Sequence, residues 1–512
     1  MLMLSEIVAA SREVAATRSR LKKIARLSRV FSQLEREELP AAVGFMCGEL
    51  RQGRLGLGPR SLQRLRSEPV PVSSAVSVLE LDAVFQALEA LSGKGVASER
   101  EQLLRALFAR LNTEEREFVV RLILGELRQG ALESIVLDAL AEAAHVSSES
   151  IRKAMLFSGD AAEVAVSAFR GGEAELSAFS IQLFRPLRPM LAQSAKDAAE
   201  AFTRAAPAAV EYKLDGARIQ LHREGERVAI YSRYGSDLSE ALPEIVELGR
   251  SFRAESLVLD GEVIALRADG RPQPFQVTMQ RVGRKLGVAA ARLDLPLRAF
   301  FFDCMYADGQ VFVDQSNGAR WQALCAAVPP EARVSRVEVS SAEGAEAGLA
   351  GALASGNEGI VVKSLASTYE AGRRGAGWIK VKPAPTLDLV VLAAEWGSGR
   401  RKGRLSNLHL GARDPETGGF VMLGKTFKGL TDSMLAWQTE KFLELATERS
   451  EWLVKVRPEI VVEIAFDGLQ KSSTYAGGLA LRFARVKRYR EDKPASDADT
   501  IQFVRELFER VS

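Results

Sequence analysis

From residue 1 to about 180 the apolar positions recur at helical spacing. Val119-Val120-Arg121-Leu122-Ile123-Leu124 and Leu137-Asp138-Ala139-Leu140-Ala141 carry the period, and Asn112-Thr113-Glu114-Glu115 reads as a helix start. A basic amphipathic stretch runs from Arg12 to Arg29, a pattern that usually marks a solvated face. Gly48-Glu49-Leu50-Arg51-Gln52-Gly53 recurs letter for letter as Gly125-Glu126-Leu127-Arg128-Gln129-Gly130. Each copy follows an apolar run and reads as a helix C-terminus, with Arg in the last turn and Gly after it. Two copies of one helix-turn unit predict a pseudo-symmetric helical domain.

The pattern changes near Leu183-Phe184-Arg185-Pro186-Leu187-Arg188-Pro189-Met190-Leu191-Ala192, where prolines break helices and alternation begins. Arg218 to Arg233 reads as a hairpin with Glu224-Gly225 at its tip. Further strands are predicted at Leu257–Leu266, Leu297–Tyr306, Gly359–Ser364 and Trp378–Lys382, with a helix at Leu242–Arg250. After a second break at Pro383-Ala384-Pro385-Thr386 come short strands at Leu387–Ala394, Asn407–Arg413, Phe420–Leu423 and Ile460–Phe466. Short strands with glycine turns predict a small barrel. The expected fold is therefore multidomain: all-α over 1–180, α+β over 181–384 and an all-β barrel over 385–512.

Composition narrows the class. The chain has 512 residues, 47% hydrophobic and 26% charged, enough for several cores. No apolar run approaches a membrane span, and no signal-peptide pattern opens the chain. Cys47, Cys304 and Cys325 are far apart and only three histidines accompany them, so neither a zinc cluster nor a disulfide framework is expected. A reducing, cytoplasmic setting follows. Net charge is only +3, and residues 1–180 hold 23 Lys+Arg against 24 Asp+Glu. A polyanion site there must come from spatial sorting of charge. The clear local excess is Arg482 to Lys493.

Chemistry enters at Glu211-Tyr212-Lys213-Leu214-Asp215-Gly216-Ala217-Arg218. It reads as a strand ending at a glycine turn, with Val210, Tyr212 and Leu214 on one face and Glu211, Lys213 and Asp215 on the other. A partly buried lysine beside other cations can lose its proton and attack an electrophile. Alone, such a lysine is usually a surface ion pair. Its companions change that. Asp260-Gly261-Glu262 ends a strand with two acids able to reach a metal or a ribose. Phe301-Phe302-Asp303 offers aromatic faces to a purine. Glu358 to Lys363 ends in a lysine, Trp378-Ile379-Lys380-Val381-Lys382 sets two lysines roughly 7 Å apart on one face, and Ser232-Arg233 closes the hairpin with a cation. As an ordered set they describe a nucleotide pocket.

The order KxDGxR, SR, DGE, FD, EGIVVK, WxKxK resembles the ATP-dependent DNA ligases of the covalent nucleotidyltransferase superfamily. The resemblance covers about 180–495 motif by motif, and the helical part more loosely. Leu481 to Pro494 looks like the family's closing motif in its oligonucleotide-binding (OB-fold) barrel. Two positions depart from the usual pattern: Tyr234 stands where Asn is common, and Ala484 where Pro is common.

The resemblance implies a helical DNA-binding domain (1–180), an adenylation domain (181–384) and an OB-fold domain (385–512). It implies ATP as substrate with Mg²⁺ or Mn²⁺, and a monomer encircling nicked duplex DNA. Lys213 takes AMP on its side-chain nitrogen and Glu211 lies near the adenine. Arg218 and Arg233 contact sugar and phosphates, and Phe302 stacks on the base. Glu262 and Glu358 help hold the metal, and Lys363, Lys380 and Lys382 meet the α-phosphate. Arg482, Arg485 and Asp492 orient pyrophosphate. Phe275, read as lying in a polar loop, and Phe483 match positions that press on the minor groove beside the nick. The repeated hexapeptides are expected to straddle the duplex, with Arg51 and Arg128 on phosphates. The rival enzyme is an RNA-end nucleotidyltransferase, either an RNA ligase or an mRNA guanylyltransferase. The long helical region and the form of the closing motif weigh against it. An NAD-dependent ligase is disfavoured by the lack of four zinc-binding cysteines. Without organelle signals, and with an Ala- and Arg-rich composition, the expected place is a bacterial or archaeal cytoplasm, at the nucleoid.

Overall fold

The structure is a computed structural model and describes residues 1–53, 55–59, 61–62, 76–91, 96–127, 133–284, 286–370, 374–383 and 385–511. Up to Ser177 every described element is a helix, and one apolar cluster runs from Leu4 to Leu176. Asn112 opens the helix Thr113–Ile123 by accepting from the backbone N–H of Glu114 and Glu115, and Glu115 returns a bond to Asn112 N–H at 3.0 Å. That reciprocal cap satisfies donors the helix leaves open. The basic stretch from Arg12 is two helices, Leu4–Ala16 and Arg20–Phe31. The chain turns extended at Thr17, and the Ser19 side chain caps the second helix.

The hexapeptide repeat takes a different place from the one expected. Its first glycine already lies past the helix. Gly48 follows Leu39–Cys47 at φ 75°, and Gly125 comes two residues after Thr113–Ile123 at φ 67°. In both copies the glycine N–H bonds three residues back, and the glutamate N–H bonds five back, Glu49 to Gly44 and Glu126 to Arg121. That is a Schellman turn made twice, and the left-handed residue explains the glycine. Arg51 therefore sits in the turn beyond the helix and not in its last turn. The two copies also touch: a Cβ on Gly48 would stand 3.6 Å from Leu127 Cβ. Arg128 lies outside the described residues.

Two five-stranded sheets follow. One has the order β1 (Leu191–Ser194), β10 (Arg374–Val381), β9 (Gly359–Ser364), β2 (Ala208–Lys213) and β8 (Arg336–Val339). The other runs β4 (Arg227–Ser232), β3 (Ala217–Glu224), β5 (Ser256–Ala265), β6 (Leu297–Ala307) and β7 (Gln310–Val311). Helices Ala198–Ala205 and Ala342–Ala354 cover the first sheet through Ala201, Val210, Ala345 and Ile360, while helix Pro243–Arg250 packs on the second through Ile245. Each buried Val, Leu or Ile side chain contributes about 1.5–3 kcal/mol.

The C-terminal sheet joins β11 (Thr386–Trp396), β12 (Leu405–Arg413), β13 (Phe420–Thr426), β14 (Ala446–Arg449), β15 (Leu453–Val456), β16 (Val461–Ala465) and β19 (Arg485–Tyr489), with β17 (Gly468–Lys471) and β18 (Leu479–Arg482) as a separate ribbon. It has its own core, including Leu389, Leu410, Phe442 and Ile464. Among the described residues no pairing closes this sheet, so the expected closed barrel is seen as an open, multi-stranded sheet. Helices Asp432–Glu444 and Ile501–Val511 accompany it.

The second sheet depends on a fully buried ion pair. Arg320 bonds both oxygens of Asp303, at 2.7 and 3.2 Å, and spends another nitrogen on the carbonyls of Gln315 and Ser367. Removing one partner of such a pair strands a buried charge. Asp303→Ala is expected to lower stability by about 3–5 kcal/mol, read by chemical denaturation.

Candidate active site

A cleft of about 700 Å³ opens between the two sheets of the middle region. Lys213 ends β2, paired in register with Gly359 at the start of β9. Glu358 precedes that glycine, and its N–H bonds Lys213 O at 3.1 Å. The Lys213 amine meets the Glu358 carboxylate, which the Lys382 amine also meets. One carboxylate thus gathers two lysines from different strands. Burial lowers the Lys213 pKa from the ordinary lysine value, against Asp215, Glu262 and Asp467, which raise it. Burial likewise lowers Lys363 and Lys382.

The alternation expected along β2 is seen. Val210 packs among the helices and Glu211 faces the cleft. Glu211 is 2% exposed and bonds Arg336 at 2.8 Å and Lys363 at 2.7 Å. Lys363 also donates to Phe302 O at 2.9 Å and lies 4.2 Å from the Trp378 ring centre. Phe302 meets Trp378 edge to face, 5.8 Å between centres. The Trp378 indole N–H has no partner among the described residues.

Across the cleft, Arg218 on β3 grips Asp260 through two nitrogens, at 3.0 and 2.6 Å, and donates a third bond to Met190 O at 2.7 Å. Asp260 is fully buried and also accepts from the Tyr369 hydroxyl at 2.8 Å. It therefore orients Arg218 and does not reach toward a ligand, unlike the sequence expectation for both acids of that motif. Glu262, opposite Arg218 on β5, lines the cleft. Burial pushes its pKa up to about 7, against Arg218, Lys213 and the Gly216 N–H. Among the described residues it forms no ion pair.

Arg233, Lys380 and Phe275 line the same cleft. Phe275 is the first residue of helix Phe275–Val282, directly after Pro274 at the N-cap, and not part of a loop. Arg482 comes over from the C-terminal region to within 3.7 Å of Asp215, its guanidinium 4.7 Å from the Phe275 ring centre. Phe483 follows at φ 52°, 58% exposed. Lys382 also reaches Asp467, at 3.6 Å, and Arg485 pairs with that same aspartate. Asp492 is held by Arg490 at 2.6 Å and does not line the cleft. The basic run is largely matched by acids brought from elsewhere, since Arg488 meets Glu463, and Arg490 and Lys493 meet Asp388. Arg51 bonds Asp82 at 3.0 Å. Sequence reasoning overlooked Tyr369, Arg336 and Asp467, for which no local pattern speaks.

Among the described residues no three acids, histidines or cysteines cluster to hold a metal. Glu262 and Glu358 offer the oxygen donors that a hard divalent cation takes; Glu262 has Arg218 and Lys213 nearby, and Glu358 already meets Lys213 and Lys382, so a metal at Glu358 would have to take the place of those amines. Mg²⁺ commonly takes one or two carboxylates and completes its shell with water and substrate phosphate.

Three family models match in chain order: DNA ligase N terminus over residues 71–141, ATP dependent DNA ligase domain over 189–382 and ATP dependent DNA ligase C terminal region over 401–493. A probable DNA ligase of Anaeromyxobacter sp. (strain Fw109-5) is 54% identical, covering 99% of this chain and 98% of the relative. One from Sorangium cellulosum (strain So ce56) is 50% identical, covering 99% and 95%. A solved structure named Pmar-Lig_PreS3 shares the fold, with TM-score 0.62 at 20% identity over 96% of this chain and all of that one.

The site's geometry is sensitive at Gly359. Its φ is 153°, and a Cβ there would lie 2.2 Å from Val381 O and 3.2 Å from Lys382 Cα. Gly359→Ala is expected to part β9 from β10 at a cost of about 1–3 kcal/mol. It should displace Glu358 and Lys382 together. Melting temperature and nucleotide attachment, measured on the same preparation, should both fall.

Proposed function

The chain belongs to the ATP-dependent DNA ligase family, and from that premise we propose that Lys213 is the nucleophile with which it seals 5′-phosphate/3′-hydroxyl nicks in duplex DNA. The observation that carries the assignment is the Lys213 amine held against Glu358 at the end of β2, in a cleft walled by Phe302 and several cations.

The reaction is three phosphoryl transfers. Neutral Lys213 forms a bond from Nζ to the α-phosphorus of ATP, and the bond to pyrophosphate breaks. The 5′-phosphate at the nick then takes AMP from the lysine. The 3′-hydroxyl attacks that activated phosphate, the strand closes and AMP leaves. Burial favours the neutral amine that the first step needs. Phe302 offers a face to adenine, and Arg218, Arg233, Lys363, Lys380 and Lys382 place positive charge where phosphate oxygens gain negative charge. Lys363 is already paired with Glu211, so its effect on phosphate acts through that pair. Mg²⁺ or Mn²⁺ at Glu262 and Glu358 would supply further positive charge to those oxygens.

We read 1–180 as the DNA-binding unit, 181–384 as the adenylation unit and 385–512 as the OB-type unit; each has an apolar cluster of its own, which supports the division, and one further cluster joins the first two units. The C-terminal unit meets the cleft through polar contacts at Asp215, Lys382 and Gln276. Such contacts exchange easily with water, and their release lets one monomer open and close around DNA. Phe275 and Phe483 would then face the nick. Arg51 would contribute to DNA from a guanidinium that Asp82 holds through one nitrogen. No helix among the described residues is long and apolar enough to cross a membrane, and in this reading a place at the nucleoid follows from duplex DNA being the substrate.

Lys213→Ala is expected to abolish AMP attachment and joining of an ordinary nick, while a nick already carrying 5′-AMP is still sealed. A gain of one AMP in mass by this variant, given ATP and Mg²⁺, would overturn the assignment. Arg482→Ala should slow AMP attachment by about a hundredfold and spare sealing of the pre-adenylylated nick. Equal losses in both assays would assign Arg482 to general DNA binding.

A further inference from the structure

Phe184-Arg185-Pro186-Leu187-Arg188-Pro189-Met190 repeats an apolar-Arg-Pro triplet, and the reaction above leaves it unused. A three-residue repeat with proline favours an extended path that has three residues per turn and no internal hydrogen bonds. The other backbone groups must then find outside partners, while the proline nitrogens need none.

Those partners stand on one face of β3, where Arg218, Gln220 and His222 alternate. His222 Nδ1 accepts from Phe184 N–H at 3.1 Å. Gln220 accepts from Leu187 N–H at 2.8 Å and donates to Leu187 O at 2.7 Å. Arg218 donates to Met190 O. Burial pushes the His222 pKa down to about 3, so the imidazole is neutral and Nδ1 is free to accept. Phe184 sits at φ 65°, its carbonyl bonded by the Tyr231 hydroxyl and its ring under Arg227.

The arginines of the triplet are held from the other side. Arg185 pairs with Glu163 and bonds Ser158 Oγ at 3.2 Å. Arg188 pairs with Glu133 and donates to Gly159 O at 3.1 Å. All four partners belong to the helical region. Every third residue is thus gripped by β3, and the arginines between by the helices. A ring of bonds completes the cleft end. Met190 N–H donates to the Tyr369 hydroxyl at 3.1 Å, Tyr369 donates to Asp260, and Asp260 holds Arg218.

We propose that this segment is a two-sided zipper that ties the setting of the helical region to that of Arg218 in the cleft, with Gln220, His222 and Tyr369 as positioning residues. The inference rests on the ligase reading only in taking Arg218 as a nucleotide contact. The segment cannot shift without disturbing Arg218, and by reciprocity nucleotide held at Arg218 must steady the segment.

Two variants test this. Arg185→Gln/Arg188→Gln unhooks the helical side without touching the cleft, and Tyr369→Phe removes one hydroxyl from the ring. Self-adenylylation with ATP and Mg²⁺ gives KM and kcat. Amide exchange of the peptide 181–192 is followed before and after AMP attachment. Both variants should raise the KM for ATP by about three- to tenfold, with kcat within about twofold. In the parent, exchange at Phe184, Leu187 and Met190 should slow once AMP is attached, and the variants should lose that slowing. Arg185→Lys/Arg188→Lys should restore KM. Accelerated linker exchange with KM at the parent value overturns the proposal, as does parent exchange indifferent to AMP or a fall in kcat alone. A parent that takes up no AMP refutes the ligase reading instead. The zipper is then judged by whether Arg185→Gln/Arg188→Gln speeds exchange at Met190 and along β3, and unchanged exchange there rejects it.

Discussion

The antiparallel register that sets Lys213 opposite Gly359 is the constraint on which the rest of the site depends. It ends β2 where β9 begins, so the residue before the glycine, Glu358, comes beside the lysine. Only a residue without a side chain leaves β10 close enough for Lys382 to reach the same carboxylate. Backbone geometry thus places three charges, at or just beyond the ends of three strands, within contact. A slip of one residue would turn Lys213 toward the helices that cover the sheet.

Around that point the charges are organised in chains. Arg336, Glu211 and Lys363 form one, Arg218, Asp260 and Tyr369 another, and Arg320 with Asp303 a third. Burial makes each ion costly unless it is bonded on most sides, and the chains meet that demand. In the proposed reaction, Arg218 and Lys363 would thus be set before any phosphate arrives, which is how electrostatic stabilisation of a phosphoryl group is most effective. Glu262 stands outside these chains. Burial raises its pKa to about 7, against the nearby Arg218 and Lys213, and no ion pair fixes it among the described residues.

The connections between regions differ in kind. The helical region is joined to the cleft by the triplet segment and by an apolar cluster holding Leu156, Leu187, Met190 and Met305. The C-terminal region meets it through polar side chains at Asp215, Lys382 and Gln276. The first joint therefore combines apolar packing with hydrogen bonds, whereas the second rests on charged and polar side chains.

The order of short motifs was sufficient to identify the family and to select Lys213, Arg218, Glu262, Phe302 and Lys363 as residues of one cleft, because each lies in a strand whose period is written in its own neighbours. The helix start at Asn112 and the strand Gly359–Ser364 were legible for the same local reason. What depends on distant partners was not. Asp260 looks like a ligand to metal or ribose until Arg218 and Tyr369 close on it. Arg51 looks free until Asp82 arrives from another helix, and the basic run after Arg482 looks like a patch until Glu463, Asp467 and Asp388 pair with four of its cations. Phe275 looked like loop because a single apolar residue after proline carries no period. Local pattern determines where a side chain points from its own backbone, whereas tertiary packing decides what stands opposite it. Since Coulomb and hydrogen-bond energies depend on the opposite group, only the folded chain could assign the charges their roles.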